Sequence, residues 1–382
     1  MSTLNWRESL PSLSAPSSDR PHDAHPIAAM ALVKVIGLAV LALWSSLNGK
    51  SAHILLSARW DSLWYVRVVE HGYSFTVTAQ DGRILSDMAF FPLFPALERV
   101  LSHLLLISPA DAGLVISAVS SLFAAAGIYR LVGLFTDYRT ALLVVVLWAT
   151  LPVSIVQSMA YSESLFTAIS SWALYCALKE KWLFAGLLAC AAGLTRPVGV
   201  AVALGVWSAV AVSVHKKGWS ASKTASLIIS PAGFSSYILW VGAQKGSILG
   251  YLDVQSEWGN GFDGGTTFLK FAGALTVTPP YVGGVALIVA IGLAIWSYVL
   301  GFLGKYPLPV QVYSGIVVLL ALGSSGFFGS KPRLLIPAFS LLIPLAVFLG
   351  RKARVVRVSV VISMCLVSAS YGAFWLNGSG PP

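Results

Sequence analysis

Apolar residues come in runs of roughly 18 to 25, and each run is long enough to cross a hydrocarbon core of about 30 Å as a helix. Such runs rule out a water-soluble surface. Of the 382 residues 57% are hydrophobic and only 10% are charged, against about a quarter charged in an ordinary soluble domain. Strands of a membrane barrel would alternate apolar and polar at every second position, which these runs do not. The expected fold class is therefore an all-α polytopic membrane protein.

The formal net charge is +10, which raises nucleic acid as a partner. The positive residues, however, sit in short knots between apolar runs: Lys179 and Lys181, His215 to Lys217, Lys305, and Arg351, Lys352, Arg354 and Arg357. That distribution fits cytoplasmic anchors under the positive-inside rule, so topology explains the charge and nucleic acid is not expected. Cys176, Cys190 and Cys365 lie inside apolar runs without metal-ligand spacing and read as small hydrophobes. Residues 1–26 are rich in Ser and Pro and read as a disordered cytoplasmic tail before a retained first helix. The remainder, 27–382, reads as one transmembrane domain.

Spans are expected near 28–48, 112–136, 140–158, 161–178, 182–195, 197–214, 224–243, 280–301, 307–323, 333–350 and 355–376, about eleven in all with a range of 10 to 12. Residues 89–107 are apolar too, but Glu98 and Arg99 would lie near the centre of that run. Treating it as an interfacial helix keeps every basic knot on one side, whereas a crossing would not. Residues 49–110 then form a long external segment with two interfacial helices, and 244–279 a second, glycine-rich one. Gly259, Gly261 and Gly264 match a dinucleotide fingerprint in spacing only, because no strand precedes them.

Ionisable groups beside spans are costly and count as candidates. On the expected external side they are Arg59, Asp61, Glu70, His71, Glu163, Arg196, Asp253, Glu257, Lys331 and Arg333. Few carboxylates with several cations, without a paired-aspartate motif or metal-type spacing, suit one chemistry in particular. A carboxylate deprotonates an acceptor hydroxyl while cations stabilise a departing phosphate. Hydrolytic glycosidases normally place two carboxylates across the bond, so transfer fits better than hydrolysis. No metal site and no cofactor is expected.

The strings RWDSLWYVRVVEHGY, MAFFPLFPALERVL, LPVSIVQSMAYSESLFTAISSWALY and GLTRPVGV resemble, in this order, the motifs of the PIG-V family of mannosyltransferases. QSEWGNGF and KPRLLIPAF are similar to its later motifs. The resemblance implies a GT-C-type fold and an inverting glycosyltransferase using a polyprenyl-phosphate-mannose donor on the outer or lumenal face. It implies Asp61 as general base, with Arg59, Trp60, Trp64, Tyr65, Gly72 and Tyr73 completing that motif. It further implies Tyr161, Ser162 and Glu163 in substrate binding and Arg333 as a phosphate contact. The chain is shorter than eukaryotic members, which points to a bacterial relative in a plasma membrane with an outward-facing site; in a eukaryote the site would face the lumen of the endoplasmic reticulum. GLTRPVG lacks the asparagine–glycine pair expected after the arginine, so the acceptor, a glycolipid or glycan, stays open.

Plainer readings stand beside these. Asp61 suits the first turn of a helix, and Glu163 fits an N-terminal helical turn as well as it fits acceptor binding. Arg196, Lys331 and Arg333 run against the positive-inside rule on the external face, which favours phosphate binding for at least one of them. Gln255 and Trp258 suit a sugar ligand, yet loop packing explains Trp258 equally well. Two rival functions remain: the same scaffold with another lipid-phosphate sugar, such as glucose or arabinofuranose, and a lipid-linked sugar flippase.

Overall fold

The structure is a computed structural model that describes residues 24–277 and 281–378. Most of the expected tail, 1–23, lies outside the described residues, and residues 24–26 already belong to the first helix. Helix α1 (Ala24–Leu47) is followed by α2 (Ala52–Ser57), α3 (Asp61–His71), α4 (Leu93–Leu105), α5 (Pro109–Val132) and α6 (Tyr138–Ala149). Next come α7 (Glu163–Leu178), α8 (Trp182–Gly193), α9 (Val200–Lys217), α10 (Ala221–Ile229), α11 (Ala232–Lys245) and α12 (Gly250–Glu257). The chain continues through α13 (Thr266–Val277), α14 (Val282–Leu303), α15 (Leu308–Gly323), α16 (Lys331–Leu334), α17 (Ile343–Gly350) and α18 (Arg354–Asn377).

Among the described residues six stretches are long and apolar enough to cross a membrane: Ala24–Leu47, Pro109–Val132, Pro197–Lys217, Ala221–Lys245, Gly283–Leu303 and Arg354–Asn377. A seventh, Phe328–Leu334 with Phe339–Gly350, is bent by 78° at its break. Of the eleven crossings expected, six or seven thus meet the length and apolarity of a full span among the described residues. The other segments exist as helices, but α6, α7, α8 and α15 have only 12 to 16 residues. At 1.5 Å per residue they rise about 18 to 24 Å, short of a hydrocarbon core. Proline supplies part of the reason: Pro152 follows α6 and Pro197 follows α8, each ending a run that composition alone would continue.

The core is built by α5, α6, α7, α8, α9 and α15, while α1, α14 and α18 are mostly exposed on the outside of the bundle. α5 packs most extensively against α7, and Gly127 permits the approach. A Cβ there would stand 2.3 Å from Ser171 Oγ and 2.9 Å from Trp172 Nε1, the small-residue solution typical of helices packed in lipid. Behind α6 the chain folds into a 3₁₀ turn (Ser154–Ser158). Lys34, within α1, donates to the Ser154 carbonyl at 2.8 Å and ties that turn to the outer helix.

Residues 49–110 contain the two expected interfacial helices, α3 and α4, together with the short α2 and a two-stranded hairpin, β1 (Thr76–Thr78) and β2 (Ile84–Ser86), which the sequence did not suggest. The strands are antiparallel, with Thr76 opposite Ser86. α4 buries Phe94, Glu98 and Ser102 and exposes Val100, Leu104 and Leu105, the one-sided pattern of a helix lying on an apolar boundary. The second expected segment holds α12 and α13, and Phe262 makes a bridge to Ser324 that pins it against the end of α15.

Candidate active site

Two loops bring the candidate groups together. One is the turn into α3. Trp60 adopts φ 51°, a left-handed value uncommon for a side chain with a Cβ, and it delivers Asp61 as the first residue of α3. Strain of this kind, about 1 to 3 kcal/mol, persists only where surrounding contacts over-determine it. Here Arg59 does so. Its guanidinium lies 4.0 Å from the Trp60 ring centroid, and its Nη1 and Nη2 donate to the Leu376 and Gly378 carbonyls at 2.6 and 3.1 Å. Those carbonyls belong to the end of α18, where backbone acceptors lack helical partners and favour a cation.

The other loop joins the 3₁₀ turn to α7. Ser117 of α5 donates to the Tyr161 carbonyl at 2.9 Å, and the Ala160 amide donates to the Leu56 carbonyl at 3.0 Å. Tyr161 is thereby fixed with its hydroxyl 3.4 Å from the Asp61 amide, which donates to it. Ser162 Oγ shares a 2.8 Å hydrogen bond with Tyr65 and accepts one of 3.0 Å from Arg196 Nη1. Burial pushes the Tyr65 phenol well above its ordinary value, so it stays protonated.

At the junction stand four charges. Arg333 Nη2 is 2.9 Å from Asp61 Oδ2, Arg333 Nε is 3.2 Å from Glu163 Oε1, and Arg196 Nη1 is 2.8 Å from the same Glu163 oxygen. The Arg333 guanidinium also faces the Tyr161 ring at 5.1 Å. Glu163 is only 1% exposed and Asp61 is 23% exposed. Both Glu163 oxygens and Arg333 Nε lack a hydrogen bond of good geometry despite these ion-pair distances. The cluster is held by charge rather than by aligned N–H···O bonds. Among the described residues no group of three or more His, Cys, Asp and Glu is arranged to hold a metal ion.

Asp61, Tyr65, Tyr161, Ser162, Glu163, Arg196 and Arg333 thus converge although they come from α3, the loop before α7, the first residue of α7, the loop after α8, and α16. Beside them Trp64 stacks on Phe90 at 5.6 Å and meets Trp258 edge-on at 5.0 Å. Trp258 Nε1 donates to the Ser86 carbonyl at 2.9 Å. Tyr73 turns to the Phe90 carbonyl at 2.8 Å, and Gln255 is engaged by Tyr251 and Asn260, donating to the former and accepting from the latter, each at 2.9 Å. Lys331 is placed apart from the charge cluster: 2% exposed, it donates to the Ser324 carbonyl and Oγ and faces the Phe268 and Phe328 rings. His71 is exposed and pairs loosely with Glu70 at 3.9 Å, and Glu257 accepts from the Ile84 amide at 3.1 Å.

Sequence reading missed Glu98 as a buried group. It is fully buried, neither carboxyl oxygen has a partner, and Gly113 of α5 makes its room, since a Cβ there would lie 2.3 Å from Glu98 Oε1. Burial pushes this carboxyl well above the usual range. Phe90 was not singled out as the stacking partner of Trp64, although it lies inside the quoted string MAFFPLFPALERVL.

No family model matches the chain, and no curated protein does. Solved structures do match in fold. The undecaprenyl-phosphate-bound ArnT of Cupriavidus metallidurans is 14% identical with a TM-score of 0.51, over 89% of this chain and 63% of ArnT. The apo oligosaccharyltransferase of Archaeoglobus fulgidus is 10% identical with a TM-score of 0.51, over 94% of this chain and 56% of that enzyme. The chain therefore spans about three fifths of the length of the structures it matches. At such identities the likeness concerns the fold alone, that of a multi-pass, all-α membrane protein.

Proposed function

We propose that the chain is an inverting glycosyltransferase that moves mannose from a polyprenyl-phosphate-mannose to an extracytoplasmic glycolipid or glycan acceptor. The observation that carries the reading is the convergence of Asp61 with Arg333, Glu163 and Arg196 at the loop end of the bundle. Asp61, the more exposed carboxylate, faces the acceptor and takes its hydroxyl proton; the acceptor oxygen bonds to the anomeric carbon as the carbon–phosphate-oxygen bond breaks. Arg333 and Arg196 stabilise the phosphate that leaves. Glu163, buried between two guanidinium groups, positions them and does not touch the acceptor.

In this reading Trp64 and Trp258, packed edge-on and half-buried, supply aromatic surface to the sugar ring. Arg59 fixes the strained turn, and Lys331 fixes the Phe262–Ser324 junction. A small recess lined by Val153, Ile155, Gly329, Tyr371 and Trp375 lies beside the segment that leads into Arg333. ArnT, the fold relative above, was solved with undecaprenyl phosphate, which supports a polyprenyl phosphate as the donor's leaving group here. In this reading the site faces away from the cytoplasm, as the PIG-V resemblance implies.

The test is a donor panel. Purified protein in nanodiscs is given polyprenyl phosphates carrying mannose, glucose or arabinofuranose with a mixed glycolipid extract. Transfer of mannose alone supports the full reading, transfer of another sugar keeps the enzyme and changes its substrate, and transport of a lipid-linked sugar without transfer replaces the enzyme by a flippase.

A further inference from the structure

Arg333 serves two carboxylates at once. Its Nη2 lies 2.9 Å from Asp61 Oδ2 and its Nε 3.2 Å from Glu163 Oε1. The side chain is 11% exposed, and Nε makes no well-formed hydrogen bond. With Arg196 included, two positive and two negative charges cancel within the cluster. The cluster consequently offers little net attraction to a phosphate, and Oδ2 of its carboxylate base already faces a cation.

Guanidinium chemistry makes this arrangement consequential. Arginine grips a phosphate through two parallel N–H bonds, and both of the forks it can offer, Nε with Nη2 and Nη1 with Nη2, include Nη2. That is the atom now on Asp61. Nη2 carries one hydrogen in each fork, and with Nε facing Glu163 a phosphate that grips Arg333 end-on competes with Asp61 for Nη2.

We infer that Arg333 is an exchange group: the donor's phosphate takes its Nη2 from Asp61, and the carboxylate so released is the one that accepts the acceptor's proton. The inference rests on the glycosyl-transfer reading above and adds to it an order of events. Glu163 is the pivot. Its oxygen stays near Nε, and through Arg196 it holds the second cation, so the guanidinium can rotate between partners without leaving the site. With a lipid phosphate in place Asp61 is freed of its cation and becomes the stronger base. The bonds balance as before: the acceptor O–H breaks toward Asp61, the acceptor O–C bond forms, and the electron pair of the C–O(phosphate) bond leaves on the phosphate, which Arg333 then holds.

The experiment measures binding of farnesyl phosphate, a short polyprenyl phosphate without sugar, to the full chain in detergent by calorimetry, with farnesol as the uncharged control. Asp61→Asn removes the competitor and should tighten farnesyl phosphate by about tenfold, equivalent to about 1.4 kcal/mol; Asp61→Ser, of different shape, should do the same and guards against a folding artefact in either variant. The gain must depend on Arg333. In an Arg333→Gln background the same Asp61 substitution should change affinity by less than about twofold, as a double-mutant cycle requires of a coupled pair. An equal gain in both backgrounds would show mere removal of a negative charge and overturn the exchange, and no gain in either would overturn it too. If the wild type does not prefer farnesyl phosphate to farnesol, the lipid-phosphate donor itself is wrong, a failure distinct from the first two.

Discussion

Replacing Glu163 by Gln separates a positioning role from a substrate-binding one. The carboxylate is 1% exposed and approaches Arg196 at 2.8 Å and Arg333 at 3.2 Å. With an effective dielectric constant of about 20 these contacts are worth about 6 and about 5 kcal/mol before desolvation is counted. Desolvation cancels most of that, and removing one partner of a buried pair typically costs about 3 to 5 kcal/mol. Here both arginines retain a second partner, Asp61 for Arg333 and Ser162 for Arg196, so the lower end, about 3 kcal/mol, is the reasoned value. If the disordered cations enter the transition state, that is about a hundredfold in turnover. The KM for the lipid donor should not rise, because the neutral Gln leaves the site more positive toward a phosphate. Steady-state transfer kinetics on purified wild type and Glu163→Gln decide it. A variant with kcat within about threefold of wild type, or one that loses only donor or acceptor affinity, would refute the positioning argument.

Three further outcomes follow from the packing. Glu98 has its carboxyl raised by burial from an ordinary value of 4.5, so its contribution is fully present below that value and is lost as pH rises through the elevated one; Glu98→Gln should flatten the alkaline side of a thermal-stability profile, and an unchanged profile would contradict this. Lys34→Met removes the ammonium bond to the Ser154 carbonyl and should lower stability by about 2 kcal/mol, the cost of a charged hydrogen bond, measured by unfolding in mixed micelles. Gly127→Ala drives a Cβ against Ser171 Oγ and the Trp172 ring; loss of folded yield is expected, with partial recovery on adding Ser171→Ala, whereas wild-type yield from the single variant would show that α5 and α7 have slack.

Much of the fold was legible because hydrophobic run length and charge placement are local properties. The helix expected over 89–107 rested on an apolar run in which Glu98 and Arg99 argue against a crossing, and α4 forms there. Run length cannot, however, tell a helix that crosses the bilayer from one that stops part-way, and Pro152 and Pro197 mark two stops whose effect depends on how neighbours pack. The cluster of Asp61, Glu163, Arg196 and Arg333 was legible as a set of costly charges beside spans, though not as an arrangement. Which cation faces which carboxylate is decided by tertiary contacts: Lys331, equally promising in sequence, turns to Ser324, and Arg59 turns to the end of α18. The burial of Glu98 was invisible for the same reason, since it depends on Gly113 of another helix.

The central claim, that Asp61 is the base in transfer from a lipid-phosphate sugar, is tested most directly by assaying purified wild type and Asp61→Asn with polyprenyl-phosphate-mannose and, separately, with the nucleotide sugar. The account predicts transfer from the lipid donor alone and a loss of at least about a hundredfold in the variant, the usual worth of general-base catalysis. Transfer from the nucleotide sugar, or an Asp61→Asn enzyme that retains its rate, would contradict it.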